Sequence, residues 1–164
     1  MAPEFSRPVA AESIGEAETP RTVEANPGEC AALAIRFGLP AIEHLACRFG
    51  LRRTVDGAIA ARGELEARIV QTCVVSLEPF AAVVAERFHL RFVPAGTETD
   101  AIDPDAEDEV PCADGVIDLG EAAAEQLALA LDPYPRRPDA ALPEAADAPA
   151  PHPFASLAAW KPRG

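Results

Sequence analysis

The chain has 164 residues, the length of one domain with tails, and carries 27 acidic against 14 basic side chains, a net charge of −13. This acidity disfavours extensive contact with nucleic acid, because that affinity comes largely from Lys and Arg displacing counterions from phosphates. It favours a basic protein as partner. Seventeen prolines, crowded toward the two ends, predict irregular termini around a compact centre.

The cysteines and the N-terminal residues indicate the cellular compartment. The four cysteines lie far apart, with no Cys-x-x-Cys pair. No charged-then-apolar signal peptide opens the chain, and no apolar run approaches the length of a membrane span. We therefore expect a cytoplasmic protein with reduced thiols and no cofactor.

Two short strands and a helix are predicted before residue 41. Residues 4–9 form an extended piece that Pro8 would confine to a sheet edge, and residues 21–25 form a second. A helix then begins with Asn26 as its cap and Pro27 in the first position, and Gly38 ends it. Its apolar stripe consists of Cys30, Leu33, Ala34 and Phe37.

Residues 41–93 carry three long segments in which apolar and polar side chains alternate. Alternation over such lengths is typical of strands with one buried face and one wet face. Asp56-Gly57 joins the first two, which predicts a type I′ hairpin turn, and residues 77–79 turn the second into the third. The chain should therefore contain an antiparallel meander. Three polar residues break the apolar pattern: Arg53, Gln71 and Glu86.

The next segment, residues 94–114, is strongly acidic and shows no useful periodicity. The plain interpretation is a solvated loop, the alternative is a docking segment for a basic partner, and the spacing does not match a calcium loop. The acids of this predicted docking segment are Glu98, Asp100, Asp103, Asp105, Glu107, Asp108 and Glu109.

A second helix is predicted from residue 119 to about residue 131. Asp118 is placed to cap it, with Glu121 completing a capping box, after a short strand at residues 115–117. Asp132-Pro133 ends the helix. The buried stripe consists of Leu119, Ala123, Leu127 and Leu131.

The C-terminal part, residues 136–164, is rich in proline and alanine and should lack a core of its own. Near its end, Phe154, Leu157 and Trp160 recur at a spacing of three residues and form an apolar anchor. This anchor docks either on the chain's own domain or in a groove of a partner, and the sequence favours neither.

No catalytic or metal-binding constellation is recognisable. The cysteines are not paired for zinc, the three histidines are scattered, and no nucleophile elbow or phosphate loop is present. We therefore expect a protein that is not an enzyme. The wet strand face carries arginines, for which pairing with Glu64 and Glu66 is the plain interpretation. The alternative is an RNA-binding face made of Arg62, Arg68, Arg87 and Arg91.

Three stretches, taken in their order, carry a family resemblance. They are residues 69–80 (IVQTCVVSLEPF), residues 114–138 (DGVIDLGEAAAEQLALALDPYPRRP) and residues 152–161 (HPFASLAAWK). In this order they resemble the YceD-like large ribosomal RNA subunit accumulation proteins, a bacterial family. Many members have a second cysteine where this chain has Ser76 after Cys73, which removes support for a metal or redox role of the pair. Core packing is the better explanation for Cys73.

The resemblance implies a factor for accumulation of large-subunit ribosomal RNA and assembly of that subunit. The acidity then favours a basic ribosomal protein, or the precursor subunit, as the partner; direct binding of ribosomal RNA through the four arginines is the alternative. The predicted fold is a single α+β domain over residues 1–135. In it a curved antiparallel sheet of about four to six strands, which could close into a barrel, is covered by two helices.

Overall fold

The computed structural model describes residues 3–98 and 107–141. Within these residues the fold is mixed α+β, as predicted. The elements in chain order are β1 (Pro8–Ala10), β2 (Thr19–Glu24), α1 (Pro27–Phe37), β3 (Ala41–Arg53), β4 (Ile59–Thr72), β5 (Pro79–Pro94), β6 (Asp108–Cys112), β7 (Val116–Asp118) and α2 (Leu119–Ala130).

The main sheet of the described residues has five strands in the order β2-β3-β4-β5-β6. Neighbours from β2 to β5 are antiparallel, which confirms the predicted meander of β3, β4 and β5. β1 and β7 form a separate two-stranded sheet, so Pro8 does lie in an edge strand. Because β2 and β6 are the two edges of the main sheet, it does not close into a barrel, and that option was wrong.

The turn between β3 and β4 has a different type from the one predicted. The hairpin does form at Asp56-Gly57, with the N–H of Gly57 donating to the carbonyl of Thr54 at 2.9 Å. Of these two residues only Gly57 has a positive φ, of 89°. A type I′ turn needs positive φ at both central residues, so this loop instead matches an ordinary turn followed by a left-handed glycine.

The acidic segment, predicted as a loop over residues 94–114, contains strand β6, so the loop prediction was wrong for Asp108–Cys112. The strand pairs with β5 in parallel, with Val110 opposite Phe92 and Cys112 opposite Pro94. A parallel partner needs a crossover of about a dozen residues, and residues 95–107 are long enough to provide it. Cys112 is buried and Val110 is half-buried, so a short alternation was present, masked by the surrounding acids.

Both helices begin where the sequence predicts. Asn26 and Glu29 form a reciprocal capping box on α1, and Gly38 follows the helix with a φ of 66°. Asp118 caps α2 by accepting the N–H groups of Gly120 at 3.0 Å and Glu121 at 3.2 Å. Glu121 was predicted to complete a capping box, but its carboxylate is bound by Arg36 of α1 at 2.7 and 3.1 Å. A guanidinium offers a stronger, charge-assisted contact than one backbone N–H.

The core lies between one face of the main sheet and the two helices. The fully buried side chains include Leu33 of α1, Leu45 of β3, Ile69 of β4 and Leu127 of α2. All four cysteines are buried and unpaired. None of the helices in the described part of the chain combines the length and the apolar character needed to cross a membrane.

Candidate functional site

The predicted acidic docking segment is described only in part. Glu98, Glu107, Asp108 and Glu109 lie within the described residues, whereas Asp100, Asp103 and Asp105 lie outside them. The predicted anchor residues Phe154, Leu157 and Trp160 also lie outside the described residues. Asp108 and Glu109 begin the edge strand β6, which fixes these two acids beside β5.

The polar face of the main sheet, which neither helix covers, carries the predicted arginine stripe; we call it the open face. Arg48, Glu64 and Arg87 face one another in register on β3, β4 and β5. The Glu64 carboxylate lies 3.3 Å from Arg48 Nη2 and 3.3 Å from Arg87 Nε. A depression of about 680 Å³ surrounds this row. Since these side chains are largely exposed, each contact stabilises the fold by at most about 1 kcal/mol.

The other predicted RNA-binding arginines differ in their surroundings. Arg62 lies 3.0 Å from the carboxylate of Glu18. Arg91 contacts Asp56, and its Nε is 3.6 Å from Glu109. Arg68 has no ion-pair partner among the described residues and faces His44 across the strands. Together with Arg87, three of the four arginines are therefore paired with carboxylates, and the open face is not a continuous positive surface.

Cys73 lies in the turn between β4 and β5 and has no exposed surface. This burial agrees with the predicted packing role, although Cys73 lies outside the contiguous cluster of core side chains. Its Sγ accepts the backbone N–H groups of Arg137 and Ser76, each at 3.5 Å. The hydrogen bond from Arg137, followed by those from Ser76, lowers the pKa of Cys73 to about 6, because they stabilise the thiolate.

The same turn holds the segment that follows α2. The N–H of Val74 donates to the carbonyl of Pro135 at 2.9 Å, and Arg137 Nη1 donates to Glu78 at 2.7 Å. Residues 135–137 are thereby attached to the end of the sheet. The boundary of the domain at residue 135 stays a prediction.

The thiols of the core have a different chemistry from that of Cys73. Burial raises the pKa of Cys47 to about 12 and also raises that of Cys30, so both remain protonated and unreactive near neutral pH. Within residues 3–98 and 107–141, no group of three His, Cys, Asp or Glu side chains could hold a metal ion.

Comparison with family models matches residues 61–158 to the large ribosomal RNA subunit accumulation protein YceD family. The match covers more than half of the chain. This chain belongs to the YceD family. The match confirms the family resemblance seen in the sequence. The description of the family links this YceD member to accumulation of large-subunit ribosomal RNA. Neither the curated proteins nor the solved structures contain a match to the chain.

The matched residues begin within β4 and extend beyond α2, so they include the Cys73 turn and strand β6. Helix α1 and strands β1, β2 and β3 precede the match. In this YceD member those elements contribute about a third of the buried core residues, and β3 also supplies Arg48 of the open face.

Two relationships in this YceD member were not predicted from the sequence. The contact of Arg36 with Glu121 joins residues 85 positions apart, and no local pattern pairs them. The binding of Cys73 by the N–H of Arg137 joins residues 64 positions apart. The available signal was the position of Cys73 just before a sheet turn, which marks that cysteine but not its partner.

Proposed function

We propose that this YceD member is a non-enzymatic factor that promotes accumulation of large-subunit ribosomal RNA by binding a basic ribosomal protein during assembly in the cytoplasm. The observation that carries the proposal is the charge distribution. The chain has 13 more acidic than basic side chains, and three of its four candidate RNA-binding arginines are engaged by acids. A phosphate backbone would be repelled by this surface, whereas a basic protein would be attracted.

The acidic segment at residues 98–109 would supply the long-range attraction. Asp108 and Glu109 stand on a fixed strand edge, and the remaining acids precede them in the sequence. Attraction of this kind mainly speeds association and is screened by salt. The anchor of Phe154, Leu157 and Trp160 would then supply apolar contact, either with the domain or with the partner.

The first test is a pull-down with tagged protein from gently lysed cells, divided into nuclease-treated and untreated halves. We expect a basic protein of the large subunit to remain bound after nuclease treatment. If every ribosomal component is lost with the RNA, the proposal is wrong and the contact runs through ribosomal RNA.

The second test neutralises part of the acidic segment with Glu98→Gln, Asp100→Asn, Asp103→Asn and Asp105→Asn. Binding of the retained protein should weaken by about tenfold or more at low salt, through slower association. The difference should shrink between about 0.1 M and about 1 M salt, where the Debye length falls from about 10 Å to about 3 Å.

A matched control removes the same number of charges elsewhere, at exposed glutamates without an ion-pair partner among the described residues. It combines Glu12→Gln, Glu16→Gln, Glu43→Gln and Glu86→Gln. If the control weakens binding as much as the segment variant, total charge and not the acidic segment determines affinity.

A further inference from the structure

A groove of about 350 Å³ runs between β6, β7 and the first turns of α2; we call it the α2 groove. Part of its lining is apolar and comes from Phe92, Val116 and Ala122. Val116 is 42% exposed, although it is a large apolar residue. Three glutamates also line the groove: Glu109, Glu121 and Glu125.

The charges of the α2 groove are unevenly neutralised. Glu121 and Glu125 are one helical turn apart on α2, so they repel each other. Arg36 neutralises Glu121 through two hydrogen bonds, whereas Glu125 has no ion-pair partner among the described residues. Although Glu125 is exposed, partial desolvation by the surrounding protein, together with the neighbouring charge of Glu121, raises the pKa of Glu125 despite the opposing effect of Arg36. A cation placed beside Glu125 would remove this unfavourable interaction.

The mixture of apolar and acidic side chains in the lining determines which kind of cation fits the groove. A free calcium ion takes about six to eight oxygen ligands, which a partly apolar groove does not offer. A lysine or arginine side chain combines an aliphatic stem with a charged head. Its stem would cover the exposed apolar surface of Val116 while its head reaches the carboxylates. Phosphate would meet only like charge there.

We propose that the α2 groove receives a lysine or arginine side chain of the basic ribosomal protein that this chain binds, an inference that rests on the proposed function. It adds to that proposal a defined contact site. The acidic segment accelerates the encounter, and the α2 groove fixes one basic side chain between β6 and α2. The two sites adjoin, because Glu109 belongs to both.

The test uses two single variants of the full chain, each with a matched control. Glu125→Gln removes the groove carboxylate without an ion pair, and Val116→Lys places a competing cation in the groove. Their controls are Glu43→Gln on β3 and Val83→Lys on β5, both at exposed positions outside the groove. The probe is the RNA-free mixture of proteins extracted from purified large ribosomal subunits, and the protein retained by the wild type is then titrated individually.

We expect Glu125→Gln and Val116→Lys each to weaken binding by about tenfold, equivalent to about 1.4 kcal/mol, with both controls at wild-type affinity. Circular dichroism and thermal unfolding of each variant separate loss of binding from loss of folding. If both groove variants bind like the wild type, the groove proposal is overturned while the proposed function stands. If the wild type retains no basic protein, the proposed function itself fails, and the groove proposal with it.

Discussion

The ring of Phe88 on β5 lies directly over Gly63, the residue opposite it on β4. A methyl group on Gly63 would be 2.1 Å from Cζ of Phe88. Phe88 in turn packs edge-on against Phe49 of β3, with ring centroids 5.8 Å apart. Because Gly63 of β4 has no side chain, the rings of Phe49 on β3 and Phe88 on β5 can contact each other across it.

Gly63→Ala should destabilise the protein by about 1–3 kcal/mol, because Phe88 would have to leave its position and lose its contact with Phe49. Urea denaturation of wild type and variant measures the difference. Gly15→Ala is the control, since nothing lies within 4 Å of a methyl group at that position. Equal midpoints for Gly63→Ala and wild type would contradict the packing described.

Asp118→Ala should cost about 1–3 kcal/mol at neutral pH, because the carboxylate accepts N–H groups from Arg7, Gly120 and Glu121. Burial raises the pKa of Asp118, but these hydrogen bonds and one from Ser6 outweigh it and lower the pKa overall. A lowered folded-state pKa means that the stabilisation is complete above the unfolded pKa of about 3.9 and is lost as the pH falls further.

Denaturation of wild type and Asp118→Ala at pH 7 and across the range below pH 4 measures this effect. The difference between the two should narrow as the pH falls. Asp108→Ala, at an exposed position in β6, should show little difference at either pH. A gap between wild type and Asp118→Ala that stays constant with pH would show that the charge of Asp118 contributes nothing.

Cys73 should titrate near pH 6, because the N–H groups of Arg137 and Ser76 stabilise its thiolate. The thiolate absorbance in the ultraviolet, measured as wild type minus Cys73→Ala, should rise with an inflection near that pH. Because the folded-state pKa is lowered, the thiolate's contribution to stability is complete above the ordinary thiol pKa of about 8.5 and is lost as the pH falls through 6. Cys47→Ala should leave the inflection unchanged, whereas an inflection near pH 8.5 would mean that Arg137 does not donate to Cys73.

Leu77→Gly should stabilise the protein by up to about 1 kcal/mol. Leu77 has a φ of 60° in the β4–β5 turn, a conformation that is unfavourable for residues with a Cβ. Its side chain is 76% exposed, so little burial is lost on removal. Leu77→Ala keeps the Cβ and should bring no gain in thermal unfolding. If the alanine variant gains as much as the glycine variant, backbone strain is not the cause.

Local patterns in the sequence predicted most of the individual elements. The alternation of residues 41–93 predicted β3, β4 and β5, and the caps Asn26 and Asp118 predicted where the two helices begin. These signals succeed because strand period and cap chemistry depend on near neighbours. The parallel strand β6 was not predicted from the sequence. It has only five residues, two of them acidic and one a proline, and this is too short a stretch to show a clear alternation of apolar and polar side chains.

The candidate sites were less predictable than the fold. The arginines of the open face were assigned to the wet side of the strands, and the structure shows Glu64 between Arg48 and Arg87. The α2 groove could not be predicted, since it depends on how β6, β7 and α2 meet in space. The contact of Arg36 with Glu121 could not be predicted either, because it depends on how the two helices α1 and α2 pack against each other.

Strand β1 has its register partners more than a hundred residues later, with Pro8 opposite Asp118. During synthesis, β1 therefore stays unpaired until β7 has left the ribosome. The β2–β5 sheet can form first, from contacts between neighbouring segments, whereas closure by β1, β7 and α2 is a late step with a high loop-closure cost. The contact between Arg7 and Asp118 therefore forms only after nearly the whole domain has been synthesised. An N-terminal truncation through Pro8 should remove the strand that pairs with β7 at the start of α2.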